Sequence, residues 1–421
     1  MPELDPLRLC SAALHHKWRA DSLGRRFSLS MFLVFALCLV TLIFTQRLAS
    51  SSNINLTIGR TIQSWSTNEV ELSNITVEIE EALEDQRALV AQEMKGYTYP
   101  AGKYNISARS LKDLVPELGG QPLRSLVLTT WRSGSTFLGD VLNSHPANFY
   151  HYEPLLDYEI VQIRGPPTSV DAMGRLENLL RCNYSNLADN YLEYGQDHTW
   201  LFTHNVRLWD QCQLHPHLCW LPQFLSPFCS LFPFQSLKTV RLRLKLIEQF
   251  LSDPTLNVRV LLLVRDPRGT MQSRRHREWC PGQPDCWDPA KLCADLTADY
   301  TTALHLADKY PNTFRAMRYE DLSLDPYTGV QQLFQFFGLD FHPQVKAFLD
   351  THTKTNAGGV SSTFRNSKAA PFHWRQDLTF KEVRSIQRVC RPAMAAWGYL
   401  PAHNASHQND LDPITKHFSL E

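Results

Sequence analysis

The chain has 421 residues, with 42 Lys and Arg against 42 Asp and Glu, so its formal net charge is zero. That balance excludes a general basic field for nucleic acid, and any anion site must be local. With 43% hydrophobic residues the chain has ample material for a core, as two domains or as one large domain with appendages.

Residues 1–26 carry Arg8, Lys17, Arg19, Arg25 and Arg26 against three acids. Phe27 to Thr45 follows, nineteen residues without a charge, which at helical rise span roughly 28 Å, the thickness of a bilayer core. The flanking Arg25 and Arg26 predict a cytosolic tail over 1–26, a signal-anchor over 27–45 and a body across the membrane. A cleaved signal peptide is the alternative, but the lead and the apolar run are both long for one. Five N-x-[ST] sequons, at Asn55, Asn74, Asn105, Asn183 and Asn404, lie beyond that run, as do eight of the ten cysteines. An even cysteine number in an oxidising compartment predicts disulfides, whose connectivity stays open. Residues 46–120 read as a lumenal stem. Within it Glu69 to Asp85 holds seven acids and no base, with apolar residues at helical spacing. That pattern fits a solvated amphipathic helix or a short coil joining two copies of the chain.

From Arg124 onward strand and helix patterns alternate, which predicts an α/β domain over 121–402 with a parallel sheet and covering helices. Residues 403–421 read as a tail. Leu126 to Leu128 is a buried strand that opens into Arg132, Ser133, Gly134, Ser135 and Thr136, and a helix pattern begins at Phe137. Strand, small polar loop and helix aim backbone N–H groups at one point, where phosphate or sulfate binds. The loop is not a Walker loop, since no G-x-x-x-x-G-K-[ST] is present. Glu153, among Phe149, Tyr150 and Tyr152, is a candidate general base whose burial among aromatics is expected to raise its pKa. The aromatic- and proline-rich stretch His198 to Phe234 reads as an irregular insertion over a cleft or as a disulfide-stapled loop. Thr239 to Leu246 alternates as a strand should, with Arg243 and Lys245 expected in solvent. Val260 to Val264 reads as a central parallel strand, ending at Arg265 and followed by a helix from about Thr270 with Ser273 on its first turn. Arg318 closes a further strand and is expected to pair with Glu320 or Asp321. A helix through Val330, Leu333 and Phe337 stops at Gly338, and Phe380 to Trp397 is the closing amphipathic helix. Trp374 is left open between stacking on a ligand and a place in the core. No His, Cys and carboxylate cluster has metal spacing, so no metal is expected.

LTTWRSGSTF resembles the 5′-phosphosulfate loop of Golgi carbohydrate sulfotransferases, and LLVRDPRGTMQSR resembles their 3′-phosphate motif. Lys238 to Arg241, Arg318 to Leu322, Arg365 to Ser367 and Trp397 to Tyr399 match the same family in order, and the galactose, N-acetylgalactosamine and N-acetylglucosamine 6-O-sulfotransferases are the closest group. The resemblance implies a nucleotide-kinase-like sulfotransferase fold, a Golgi type II membrane enzyme, and 3′-phosphoadenosine 5′-phosphosulfate (PAPS) as donor. It implies that Arg132, Ser133, Gly134, Ser135, Thr136 and Phe137 wrap the phosphosulfate and that Arg265 and Ser273 hold the 3′-phosphate. Arg365 becomes a lid, and Glu153 and Arg132 the catalytic residues. The partner is a glycan acceptor on a glycoprotein or proteoglycan. Many sulfotransferases have Lys where this chain has Arg132; Arg stabilises charge but donates a proton poorly. Protein-tyrosine sulfation and an inactive glycan-binding relative are the alternative functions.

Overall fold

Apolar runs and short polar loops build one five-stranded parallel sheet. A computed structural model of the chain describes residues 74–100, 102–359, 362–416 and 418–420. The expected tail, membrane anchor and first part of the stem, residues 1–73, lie outside them. Among the described residues no helix is long and apolar enough to cross a membrane. The fold below belongs to one compact unit, Thr76–Glu421.

Strand β1 is Leu123–Leu128, followed by helix α1, Ser135–Asn143, and β2, Asn148–Tyr152. Helix α2, Thr168–Leu180, and several short helices lead to β3, Phe234–Thr239. Strand β4 is Val258–Val264, then come α3, Pro267–Arg274, and α4, Pro289–Lys309, before β5, Phe314–Arg318. Helices α5, Pro326–Phe337, α6, Pro343–His352, and α7, Phe380–Ala396, complete the unit. The sheet order is β2-β3-β1-β4-β5, every pair parallel. The chain thus winds to one side of β1 and then to the other. The crevice beyond the carboxyl ends of β1 and β4 is the topological switch point, where α/β sheets bind ligands. Register places Leu128 beside Leu262, so β4 runs on to Val264 and delivers Arg265 beside the loop after β1.

Strands β1 and β4 are buried along their whole length, as the apolar runs Leu126–Leu128 and Val260–Val264 predict for their carboxyl halves. Helix α5 is capped by Asp325, whose side chain accepts from the Thr328 N–H, and ends at Gly338 with φ 84°. A Cβ at Gly338 would stand 2.6 Å from Ile106 and Leu123, so glycine is needed for both backbone and packing. Helix α7 opens on a Thr379–Glu382 capping box.

Three expectations are corrected. The segment after Thr239 is not strand: β3 ends there, and beyond it only the Ile163–Leu242 bridge continues the pairing. The real strand, FQSLKT, hides its polar side chains in buried pairs: Gln235 with Arg124, Ser236 with Ser125 and Asn148, Lys238 with Glu153. Arg243 is buried against Asp299 and Asp295 rather than solvated, and burial pushes its pKa down to about 10. The stretch His198 to Phe234 is not irregular; it holds helices Trp200–Thr203, Val206–Leu214 and Pro222–Ser230.

All eight cysteines beyond the apolar run are paired: Cys182–Cys229, Cys212–Cys219, Cys280–Cys286 and Cys293–Cys390. The last ties α4 to α7. Residues 76–93 are helical and bury Ala82, Leu83 and Val90, while Ile106, Leu114 and Val115 of the connector are buried too. The Tyr97 hydroxyl donates to the Gly338 carbonyl, and Arg87 pairs with Glu117. The part of the expected stem from residue 76 on therefore packs within the same unit as the sheet. Trp374 is fully buried under the Arg268 guanidinium, 4.2 Å from the ring centroid, so it belongs to the core.

Candidate active site

A cavity of about 870 Å³ opens at the switch point, lined by Arg132 after β1 and Arg265 after β4. The loop between β1 and α1 is shaped by two left-handed residues, Arg132 with φ 70° and Gly134 with φ 87°, and α1 begins at Ser135. A non-glycine residue at positive φ carries strain, and such strain clusters at binding sites. Tyr319 explains Gly134: a Cβ there would meet the Tyr319 ring at 2.3 Å. Gly134, Ser135, Thr136 and Phe137 line the cavity with Arg132. Ser133, expected beside them, instead points into the protein. It is fully buried, donates to the Thr130 carbonyl at 2.9 Å and accepts from Thr129 Oγ1 at 2.5 Å. Its side chain braces the turn.

The two expected anion motifs meet. Arg132 Nε donates to Ser273 Oγ at 3.1 Å, and Arg265 donates to the Arg132 carbonyl at 2.8 Å. Helix α3 starts at Pro267, three residues before the sequence suggested, so Ser273 lies on its second turn. The Arg265 guanidinium lies 4.8 Å from the Tyr319 ring centroid, and its buried Nε has no hydrogen-bond partner. An orphaned donor on a buried cation beside a cavity fits an anionic ligand. Burial, then the nearby Arg277 and Arg265, push the pKa of Arg132 down to about 10. Like charges gathered at one cavity wall are what a polyanion would neutralise.

Glu153 follows β2 at φ 44° and is buried. Its Oε1 accepts from Lys238 Nζ at 2.5 Å and its Oε2 from Arg241 at 3.1 Å. Lys238 in turn sits 4.1 Å from the Tyr152 ring centroid. The sequence placed this carboxylate among aromatics; the structure sets it between Lys238 of β3 and Arg241 of the segment just after it. A carboxylate has about four acceptor sites, so two remain after these bonds. His151, two residues before Glu153, is packed in the core and bonded to Tyr184 at 2.9 Å.

Arg365 lines the cavity from the loop after α6, and its guanidinium donates to the Gly359 carbonyl at 2.7 Å. Arg277, Tyr319, Trp200 and Trp279 also line it and went unnoticed as site residues in the sequence. The basic run Arg274–Arg277 offered a hint, but only folding separates its members: Arg274 is buried on the Thr130 hydroxyl and the Trp131 and Cys286 carbonyls. Among the described residues no cluster of His, Cys, Asp or Glu is placed to hold a metal ion.

Behind the site, Arg318 pairs with Asp321 at 2.7 Å, while Glu320 takes another role. It is fully buried, accepting from the Asp266 N–H at 3.0 Å and the Tyr399 hydroxyl at 2.9 Å. Burial, and then Asp266, push its pKa up to about 7, whereas an unfolded glutamate titrates near 4.3. The native state therefore holds a proton that the unfolded chain lacks between those values. Its stabilising effect is complete below the unfolded pKa and is lost as pH rises through about 7. Denaturant midpoints of Glu320→Gln are expected to depend less on pH across this window than those of the parent; an unchanged slope would assign the effect to another group.

The sulfotransferase domain family matches residues 122–398. Carbohydrate sulfotransferase 5 of Mus musculus is 27% identical over 337 residues, covering 69% of this chain and 84% of its own. Carbohydrate sulfotransferase 6 of Homo sapiens is 27% identical over 338 residues, covering 70% of this chain and 85% of its own. The sulfotransferase domain of a Synechococcus olefin synthase aligns with 66% of this chain and 96% of its own at 16% identity, with a TM-score of 0.34.

Proposed function

Because the chain belongs to the sulfotransferase family, in which its relatives are carbohydrate sulfotransferases, we propose that it moves the sulfuryl group of PAPS to a sugar 6-hydroxyl. The sugar is galactose, N-acetylgalactosamine or N-acetylglucosamine on a glycoprotein or glycosaminoglycan. The observation that carries this reading is the convergence of Arg132, Arg265 and Ser273 on one cavity beside a helix N-terminus.

The donor has two anionic ends, and the cavity offers two binding motifs that touch. The loop Arg132–Phe137 and the start of α1 bind the phosphosulfate, while Arg265 and Ser273 bind the 3′-phosphate through charge and hydroxyl. The acceptor oxygen attacks sulfur in line as the bond from sulfur to the bridging oxygen breaks. The electron pair leaves with adenosine 3′,5′-bisphosphate, where Arg132 and the loop N–H groups stabilise the growing charge. Glu153 takes the hydroxyl proton on an acceptor site not used by Lys238 or Arg241. Those two cations hold the carboxylate in place. Arg365 closes over the nucleotide from its loop.

We assign the chain to the Golgi membrane as a single-pass type II protein with its catalytic domain, residues 121–402, in the lumen. The uncharged run at 27–45 and the four paired disulfides support this, as does the exposure of the sequon residues Asn74, Asn105, Asn183 and Asn404.

Calorimetric titration of the full chain with adenosine 3′,5′-bisphosphate and with AMP tests the donor assignment. The bisphosphate is expected to bind more tightly by about tenfold or more, the worth of a charged phosphate contact. Equal affinities would remove the 3′-phosphate site and the PAPS reading with it.

A further inference from the structure

Resting on that reading, we infer that the acceptor is an uncharged stretch of glycan whose pyranose rings stack on Trp200 and Trp279. Both indoles line the cavity, yet they are 43% and 40% exposed, in a protein whose other cavity tryptophan, Trp131, is 5% exposed. Trp200 stands edge-on to Tyr152, with ring centroids 6.0 Å apart and an interplanar angle of 68°. Tyr152 precedes Glu153, so Trp200 belongs to the end of the cavity where the acceptor hydroxyl must sit. Trp279 lies two residues after Arg277, which lines the same cavity as Tyr152 and Arg365.

The loop that carries Trp279 is also held in place. Its neighbour Cys280 is bridged to Cys286, and this pair packs with Trp131, Val240 and Ile160. Arg274 donates to the Cys286 carbonyl at 2.6 Å, and Arg164 pairs with both Asp285 and Asp295 at 2.9 Å. A flat aromatic face fixed on a stapled loop loses little freedom when a ring stacks on it. Large exposed indoles fixed at a cleft mouth are recognition surfaces.

Charge argues for a neutral acceptor. The lining carries Arg132, Lys238, Arg241, Arg265, Arg277 and Arg365 against Glu153 and Asp377, an excess of four positive charges. Bound PAPS brings about four negative charges, two of them on its phosphate monoester. The donor thus balances the cavity, and Lys238 and Arg241 are already engaged by Glu153. No cationic excess is left to draw a sulfated or carboxylated sugar.

The test uses the full chain at pH 7.5 with PAPS and two acceptors: a neutral oligosaccharide of galactose and N-acetylglucosamine, and the same oligosaccharide with one sulfate on the neighbouring sugar. The neutral acceptor is expected to give the higher kcat/KM. Trp200→Ala and Trp279→Ala are each expected to raise its KM about tenfold while the PAPS KM stays unchanged, with Trp279→Phe recovering part of the loss. Quenching of tryptophan fluorescence by the neutral acceptor, reduced in each variant, reads binding without turnover. Preference for the sulfated acceptor, or an unchanged acceptor KM and quench in both variants, would overturn the inference. Failure of the parent chain to bind adenosine 3′,5′-bisphosphate would overturn the sulfotransferase reading first, and this inference with it.

Discussion

Arg265→Ala is expected to raise the KM for PAPS about 30- to 1,000-fold, equivalent to roughly 2–4 kcal/mol. The residue is buried at the end of β4, its Nε lacks a partner, and another nitrogen supports the Arg132 carbonyl. Alanine would remove a charged contact to the 3′-phosphate and loosen the loop that holds the phosphosulfate. Steady-state kinetics with PAPS varied at saturating acceptor reads the effect, and thermal unfolding shows that the variant is folded. A KM within the parent's range would place the 3′-phosphate elsewhere.

Glu153→Gln is expected to lower kcat about 10²- to 10⁴-fold, the range of general acid–base catalysis, and to leave affinity for adenosine 3′,5′-bisphosphate nearly intact. Glutamine keeps an acceptor oxygen for one of Lys238 and Arg241 but cannot take the hydroxyl proton. The split between kcat and donor affinity separates a base from a residue that only shapes the pocket. A variant with near-parental kcat would take Glu153 out of the mechanism.

The sheet core was legible because LVL and VLLLV are continuous apolar runs, each followed by a loop of small or charged residues. The order of those loops, with the resemblance they carry, pointed to Arg132, Gly134, Ser135, Thr136, Phe137, Arg265, Ser273, Arg365 and Glu153, and all of them line one cavity. Ser133 was misplaced because a sequence does not say which of the two serines flanking Gly134 turns inward. Strand β3 was displaced because its polar residues are satisfied by partners about 50 to 110 positions away, and no local pattern records such pairings. The same holds for Glu153: its aromatic neighbours are adjacent in sequence, while Lys238 and Arg241 reach it across the sheet from 85 and 88 residues away. The left-handed backbone at Arg132 and Glu153 has no mark in composition either, since neither residue is glycine or asparagine. The disulfide pairing likewise needed the fold.

The most direct measurement is transfer of ³⁵S from labelled PAPS by the full chain to a panel of keratan, chondroitin, N-acetylglucosamine-terminated glycans and a tyrosine peptide, with Arg265→Ala beside it. The account predicts label on a glycan, lost in the variant. Label on the peptide alone, or no label on any acceptor, would contradict it.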